Sequence, residues 1–138
     1  MAAKDTFHDA VKNGLLREGW TVTHDPLYLK FGTAGLYIDL AAERILAAQK
    51  GQEKIAVEIK TFGGDSLVFD FHLAIGQFVN YQVTLENKEP SRLLYLAVPQ
   101  EIYETFFQSL LAKAVIQKYQ IPLIVYNPET EEILEWLT

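Results

Sequence analysis

Two short apolar runs near the end of the chain constrain the fold most. They are Arg92 to Val98 and Ile121 to Tyr126, and each suits a β-strand that is covered on both faces. The segment from Pro99 to about Lys118 lies between them and has helical periodicity, with proline in its first turn. The order strand, helix, strand predicts a right-handed crossover and a parallel strand pair.

The remaining segments predict further strands and helices around this pair. Helices are predicted over residues 4 to 18 and Leu67 to Glu86, and strands over Trp20 to Thr23, Leu27 to Phe31, Leu36 to Leu40, Ile55 to Phe62 and Glu131 to Leu137. Lys50-Gly51-Gln52 predicts the turn of a central hairpin. Burying these elements requires an α/β domain with a mixed β-sheet and helices on both faces, as in the restriction-endonuclease-like topology.

Composition supports one globular domain that spans residues 1–138. The chain is 49% hydrophobic and 22% charged, which is ordinary for a folded domain of this length. It contains no cysteine, which excludes disulfides and fits a reducing compartment. The start, Met1 to Asp5, has no apolar signal core, and no apolar run approaches the length of a bilayer. We expect a cytoplasmic protein with no membrane contact.

The charge of the chain bears on nucleic-acid binding. The formal net charge is -6, and the 12 lysines and arginines are spread along the chain. Proteins bind phosphate backbones largely through clustered lysine and arginine, so this charge argues against non-specific attraction to DNA. It therefore counts against a freely acting nuclease.

Acidic residues lie inside two apolar runs, and this predicts a site. Asp39 follows Leu36 to Ile38, and Glu58 and Lys60 flank Ile59 in the second run. An unpaired buried carboxylate costs several kcal/mol, so such acids are normally paired or bind a metal. Side chains alternate along a strand, so Glu58 and Lys60 share one face. If they form only a surface ion pair, it contributes about 0–1 kcal/mol.

A shared site requires Asp39 to lie close to Glu58. A regular hairpin centred on Gly51 would set Glu58 opposite residue 44 and leave Asp39 roughly 16 Å further along. A bend or bulge after Asp39 would have to bring it back. Otherwise Glu43 is the alternative ligand, and residues 43 to 49 can also be interpreted as helical.

The order Asp39, then Glu58-Ile59-Lys60, resembles the motif of PD-(D/E)XK nucleases. The resemblance implies that Asp39 and Glu58 bind Mg²⁺ or Mn²⁺ and that Lys60 is catalytic, with the Ile59 carbonyl as a further ligand. Two acids are a usual minimum for Mg²⁺, which prefers oxygen ligands and keeps several waters. A lysine beside the ion can orient or deprotonate a water that attacks a phosphodiester.

The helix that follows carries a second motif. Gln77 and Tyr81 are four residues apart and can share a face with Asp70. This Gln-x-x-x-Tyr pair is similar to the motif of RecB-type nucleases, which implies that both residues line the DNA groove and the catalytic site. The alternative is a solvated Gln77 and a Tyr81 that packs at the edge of the core.

The first helix and the loop after it supply outer candidates. His8 and Asp9 can add a polar group to the site, as the first helix does in several nucleases of this fold. His24 and Asp25 can bind a metal, but Asp25 before Pro26 favours a turn.

The whole chain resembles the XisH family, the fdxN element excision controlling factors of cyanobacteria. The resemblance rests on Ala3 to Val11, Gly19 to Pro26, Leu36 to Arg44, Ile55 to Phe62, Gly76 to Tyr81 and Leu94 to Pro99. It implies a nuclease-like fold and a role in programmed excision of a DNA element during heterocyst development. It also implies two protein partners, a site-specific recombinase and an XisI-like protein.

Two functions remain open from the sequence. The first is a metal-dependent nuclease that uses Asp39, Glu58, Lys60, Gln77 and Tyr81. The second is a non-catalytic control factor that keeps the fold and acts by binding an XisI-like protein or a recombinase. The acidic charge favours the second function, and the intact motifs favour the first. Both allow contact with DNA and assembly of a homo-oligomer.

Overall fold

The computed structural model describes residues 3–46 and 51–138. The elements are α1 (Ala3–Arg17), β1 (Thr21–His24), β2 (Leu27–Phe31), β3 (Ala34–Ile38), β4 (Leu40–Leu46), β5 (Gly51–Ile59), α2 (Leu67–Lys88), β6 (Arg92–Pro99), α3 (Gln100–Glu104), α4 (Leu110–Tyr119), β7 (Leu123–Asn127) and β8 (Glu132–Leu137). A 3-10 turn at Phe106–Gln108 separates α3 from α4.

Six strands form a mixed sheet in the order β1-β4-β5-β6-β7-β8. The three central strands β5, β6 and β7 are parallel, and the remaining pairs are antiparallel. Strands β2 and β3 form a separate two-stranded hairpin. The predicted mixed sheet and the parallel pair β6 and β7 are both confirmed.

Helices cover both faces of the sheet, as predicted. On one face α1 packs on a core that includes Val57, Ile59 and Tyr126. On the other face α2, the hairpin β2–β3 and the α3–α4 segment pack on a core that includes Ala56 and Phe78. Because Val57 and Ile59 face α1, the intervening Glu58 faces α2.

Helix α2 begins where the sequence predicts and ends two residues later than predicted. The Ser66 hydroxyl accepts a hydrogen bond from the Phe69 N–H at 3.2 Å, which satisfies one of the free donors of the first turn. The buried side of the helix faces the sheet and consists of Phe71, Ala74, Phe78, Thr84 and Leu85. This packing fixes the rotation of α2 and therefore the side that it presents to the end of β5.

The register of the central hairpin differs from the prediction. Glu43 pairs with Lys54 and Leu46 with Gly51, whereas a hairpin centred on Gly51 would set Glu43 opposite residue 59. The predicted turn at Lys50 to Gln52 is wrong for Gly51 and Gln52, which lie in β5, and Lys50 lies outside the described residues. Residues 43 to 46 are strand, and residues 47 to 49 also lie outside the described residues.

The predicted single helix from Pro99 to Lys118 is also wrong. Thr105 leaves helical geometry at φ -111° and ψ -84°, and the 3-10 turn follows it. Ser109 is extended, and its hydroxyl accepts from the Ala112 N–H at 3.3 Å, so it starts α4 as a new N-cap. Among the described residues, no helix has both the length and the apolar character needed to cross a membrane.

An aromatic stack links the two edges of the sheet on the α1 face. Trp20 precedes the edge strand β1, Trp136 lies in the edge strand β8, and their rings stack at 5.7 Å. Tyr95 of β6 packs edge-on against Trp136 at 5.1 Å, and the Arg44 guanidinium lies 4.4 Å from the Trp20 ring. The stack therefore connects residues from both edges and the middle of the sheet.

Candidate active site

Asp39 lies at a bend between the hairpin and the main sheet. Strand β3 ends at Ile38 and β4 begins at Leu40, and the ladder between β4 and β5 stops at Leu40 and Val57. The Ile59 N–H is therefore beyond the ladder, and it donates instead to Asp39 Oδ2 at 2.8 Å. The Asp39 carboxylate thus satisfies a backbone donor of the strand that carries Glu58.

Glu58 makes the reciprocal contact. Its Oε1 accepts from the N–H of Asp39 itself at 3.3 Å, whereas Asp39 binds the N–H of the residue after Glu58. Glu58 is only 5% exposed. Burial and the nearby Asp39 charge raise the pKa of Glu58 to about 7, although contacts with Lys60 and the Asp39 backbone act in the opposite direction. The Glu58 carboxylate is therefore buried beside the half-buried Asp39 carboxylate.

Lys60 follows the last residue of β5 and joins this pair. Its Nζ lies 3.2 Å from Glu58 Oε2 and donates to Gln77 Oε1 on α2. The Lys60 side chain is 24% exposed, so the amine is held by two partners and still reaches solvent. Gln77 thereby fixes the direction of the amine from the opposite side of the site.

Tyr81 lies one turn beyond Gln77 and is half-buried. Burial, then the charges of Glu58 and Asp39, raise the pKa of Tyr81 to about 12. The hydroxyl therefore keeps its proton at neutral pH and can act as a hydrogen-bond donor next to two carboxylates.

The start of α2 borders a cavity next to Lys60. The cavity has a volume of about 330 Å³, and Asp70 and Leu73 line it together with residues 60 to 64. Asp70 Oδ2 accepts from the Gly64 N–H at 3.0 Å. A Cβ on Gly64 would lie 2.8 Å from Asp70 Oδ1, so a larger residue at this position would displace the Asp70 carboxylate. The two larger cavities lie away from Asp39 and Glu58.

The oxygen atoms at the site fit a hard divalent cation. Asp39 and Glu58 supply two carboxylates, and no cluster of three or more His, Asp or Glu suited to a metal occurs within residues 3–46 and 51–138. In an extended strand the N–H and C=O of one residue point to the same side, so the Ile59 carbonyl also faces Asp39. Two acids, one carbonyl and several waters are a set that Mg²⁺ accepts.

Comparison with known proteins supplies the family. The model of the XisH protein family matches residues 1–134. The chain belongs to the XisH family. The crystal structure of an XisH family protein from Nostoc punctiforme is 42% identical, with a TM-score of 0.89, and the match covers 97% of this chain and 100% of that one.

A second XisH relative has the same fold. The crystal structure of an fdxN element excision controlling factor protein from Anabaena variabilis is 44% identical, with a TM-score of 0.88 over 97% of this chain and 99% of that one. A search of curated proteins finds no match to the chain. The predicted family and its mixed α/β fold are therefore confirmed.

In this XisH family member the residues of both predicted motifs come together. They lie on the bend after β3, the end of β5 and one side of α2: Asp39, Glu58, Ile59, Lys60, Gln77 and Tyr81. The separation of roughly 16 Å that was predicted between Asp39 and Glu58 does not occur. The observed pairing of Leu40 with Val57 sets residue 39 opposite residue 58. The alternative interpretation of this helix is wrong for Gln77, which contacts Lys60, whereas Tyr81 does pack at the edge of the core.

The other candidates make different contacts. Glu43, the alternative ligand if Asp39 lay far from Glu58, pairs instead with Arg92 at 3.1 Å and accepts from the Gln52 side chain at 2.8 Å. His8 Nε2 lies 2.7 Å from Asp25 Oδ1. Asp9 is exposed.

Two contributions were not apparent from the sequence. The Tyr126 hydroxyl donates to the Lys60 carbonyl at 3.3 Å from two strands away. Asp70 was recognised only as a neighbour of Gln77 and Tyr81, whereas it also binds Gly64 beside Lys60. The paired glycines Gly63 and Gly64 were the available signal for such an approach, but contacts of Tyr126 depend on strand register.

Proposed function

We propose that this XisH protein is a metal-dependent phosphodiesterase of the PD-(D/E)XK type that assists excision of a DNA element. The main support is the reciprocal pairing of Asp39 with Glu58, which brings a half-buried and a buried carboxylate together beside Lys60. The relative from Anabaena variabilis is an fdxN element excision controlling factor, which favours DNA as the substrate.

Each residue of the site has a role in this reaction. Asp39, Glu58 and the Ile59 carbonyl would hold Mg²⁺ or Mn²⁺, which when bound stabilises negative charge on the phosphate and acidifies a water. The Lys60 amine orients the attacking water, and Gln77 keeps the amine directed into the site. The Tyr81 hydroxyl stays protonated and donates to a phosphate oxygen.

Cleavage assays with matched variants test this function. Plasmid and oligonucleotide DNA are incubated with Mg²⁺ or Mn²⁺ and with wild type, Asp39→Ala, Glu58→Ala or Lys60→Ala. We expect each change to lower the cleavage rate by about 100-fold or more. Glu53→Ala is the control. Glu53 also lies on β5 but pairs with Arg44 of β4, away from Asp39 and Glu58. Cleavage that survives all three changes contradicts the proposal.

A second function is favoured by the outer side of α2. Phe69, Leu73 and Val83 are 60%, 49% and 46% exposed and lie on one side of the helix. An apolar surface of this kind is typical of protein–protein contact. The chain would then act as a control factor that binds an XisI-like protein or a recombinase, without cleaving DNA.

Binding assays separate the two functions. In this second case Phe69→Asp should abolish co-purification with an XisI-like protein, whereas Lys60→Ala should not affect it. Analytical ultracentrifugation of the chain alone reports whether the same surface forms a homo-oligomer. A stable complex with no cleavage by either component would support the control-factor role, and binding unaffected by Phe69→Asp would contradict it.

A further inference from the structure

We propose that Tyr126 is a positioning residue of this site, because its hydroxyl replaces a backbone donor that Pro99 lacks. The catalytic role of Tyr126 rests on the proposed function, whereas its contact with Lys60 does not. Tyr126 belongs to neither sequence motif. Its contact with the Lys60 carbonyl follows from the way in which the parallel ladder between β5 and β6 ends.

The next hydrogen bond of the ladder between β5 and β6 would join the N–H of residue 99 to the Lys60 carbonyl, and it cannot form. Ile59 pairs with Ala97, and the Lys60 N–H donates to the Ala97 carbonyl at 2.9 Å. In a parallel ladder the next donor to the Lys60 carbonyl would be the N–H of residue 99. Residue 99 is proline and has no N–H. The ladder therefore stops at Ile59, one residue before the lysine of the site.

Tyr126 is in the right location to supply the missing donor. It is the register partner of Pro99 on β7, and it is fully buried. Its ring packs edge-on against Phe7 of α1 at 6.3 Å, and its hydroxyl reaches across β6 to the Lys60 carbonyl at 3.3 Å. Burial, then the Asp39 charge, raise the pKa of Tyr126, so the hydroxyl keeps its proton.

This contact sets the direction of the chain at the site. The Lys60 N–H is held by Ala97 and the Lys60 carbonyl by Tyr126, so both backbone groups of Lys60 are fixed. The chain then turns away, and Phe62 has φ 55° in the left-handed region. Without the hydroxyl, the peptide after Lys60 gains freedom. The Lys60 amine and the Ile59 carbonyl then lose part of their preorganisation.

The experiment uses the full chain and a rescue variant. Tyr126→Phe removes only the hydroxyl and should weaken Mn²⁺ binding, measured by calorimetry, by about 2- to 10-fold. Pro99→Ala restores a backbone N–H opposite the Lys60 carbonyl. The double variant Pro99→Ala/Tyr126→Phe should therefore recover most of the affinity. Tyr95→Phe, another buried tyrosine of the same core, is the control and should leave Mn²⁺ affinity unchanged.

A second measurement does not depend on metal. The ¹³C shift of the Lys60 carbonyl, measured by NMR, should move upfield in Tyr126→Phe and return in the double variant. An unchanged shift in Tyr126→Phe, or a failure of Pro99→Ala to restore it, overturns the proposal. If wild type binds no Mn²⁺ but the shift follows the prediction, the metal-dependent function is wrong and the positioning role of Tyr126 stands.

Discussion

Two buried charged groups at opposite ends of the central parallel strands differ in how they are satisfied. Arg92 begins β6 and is 6% exposed, and Glu58 lies near the end of β5 and is 5% exposed. Arg92 donates to Glu89 at 2.8 Å, to Glu43 at 3.1 Å and to the Ile55 carbonyl at 3.1 Å. Glu58 has one amine and one N–H as partners and faces another carboxylate.

The difference separates a charge that the fold compensates from one that it compensates only in part. Arg92 has two opposite charges and a carbonyl, so its burial is compensated. Glu58 is buried beside a like charge, and its pKa rises to about 7. A fold that needed Glu58 only for stability would gain from a neutral residue there. Unfavourable burial of this kind is typical of catalytic and metal-binding sites.

The largest effect on stability is expected at Arg92, at the start of β6. Arg92→Met should lower the free energy of unfolding by about 3–5 kcal/mol, because it leaves the partly buried Glu43 and Glu89 carboxylates without their cation and removes a buried donor to the Ile55 carbonyl. Urea unfolding at pH 7 measures the change. Arg17→Met, at an exposed arginine that lies 4.0 Å from Glu131, is the control and should change it by less than about 1 kcal/mol. If Arg92→Met lowers the free energy of unfolding by as little as Arg17→Met does, Arg92 is not the structural charge described above.

The second effect is expected at Glu58, with the opposite sign. The pKa of Glu58 is raised from 4.5 to about 7, so between these values the folded protein holds a proton that the unfolded chain releases. The free energy of unfolding therefore falls as the pH rises through this window. Glu58→Gln cannot ionise and should be more stable than wild type by about 2–3 kcal/mol at pH 8 and nearly equal at pH 4.5.

Urea unfolding of Glu58→Gln across pH 4.5 to 8 checks the size and the sign. Glu135→Gln is the matched control, because it removes the carboxylate of an exposed glutamate. A Glu58→Gln protein that is less stable than wild type at pH 8 would show that Glu58 is a structural charge like Arg92.

A smaller effect is expected at Gln77. Gln77→Ala removes the acceptor that directs the Lys60 amine, so it should lower the rate of DNA cleavage roughly tenfold. The free energy of unfolding should change by less than about 1 kcal/mol. Gln82→Ala on the same helix is the matched control for loss of an amide. Equal losses of cleavage in the two variants would place Gln77 outside the site.

The smallest effect is expected in an exposed cluster. Burial raises the pKa of Asp25, but hydrogen bonds from Lys12 and His8 outweigh it, and the net shift is downward. The stabilisation is therefore present above the ordinary pKa of 3.8 and is lost as the pH falls below it. Lys12→Met should cost less than about 1 kcal/mol at pH 7 and nothing at pH 2 by urea unfolding. A larger loss of unfolding free energy at pH 7 would contradict this, because the exposed cluster would then stabilise the fold as much as the buried Arg92 does.

Much of the fold could be predicted because local patterns agree with burial. The apolar runs of β6 and β7 indicate strands covered on both faces, and Ser66 before an apolar-periodic segment predicts the start of α2. The break at Ser109 was missed, since Ser109 lies within a segment of continuous helical periodicity. Serine occurs inside helices as well as at their N-caps, so the residue type alone does not locate a break there.

The site was predictable in composition but not in geometry. Asp39, Glu58 and Lys60 stand out as charged residues in apolar runs. Their distance depends on the hairpin register, and Gly51 indicated a turn that the structure replaces with strand. A shift of a few residues in register changes the predicted separation by many ångströms. The contact between Tyr126 and Lys60 depends on three strands together and has no local signal.

The stack of Trp20 on Trp136 has a consequence for how the protein opens. Peripheral elements usually open at a lower free energy than core strands, and β1 and β8 are the two edges of this sheet. Because their indole rings support each other, loosening either edge uncovers the aromatic surface of the other. Amide hydrogen exchange in β1 and β8 should therefore be correlated, and the sheet should open as one cooperative unit.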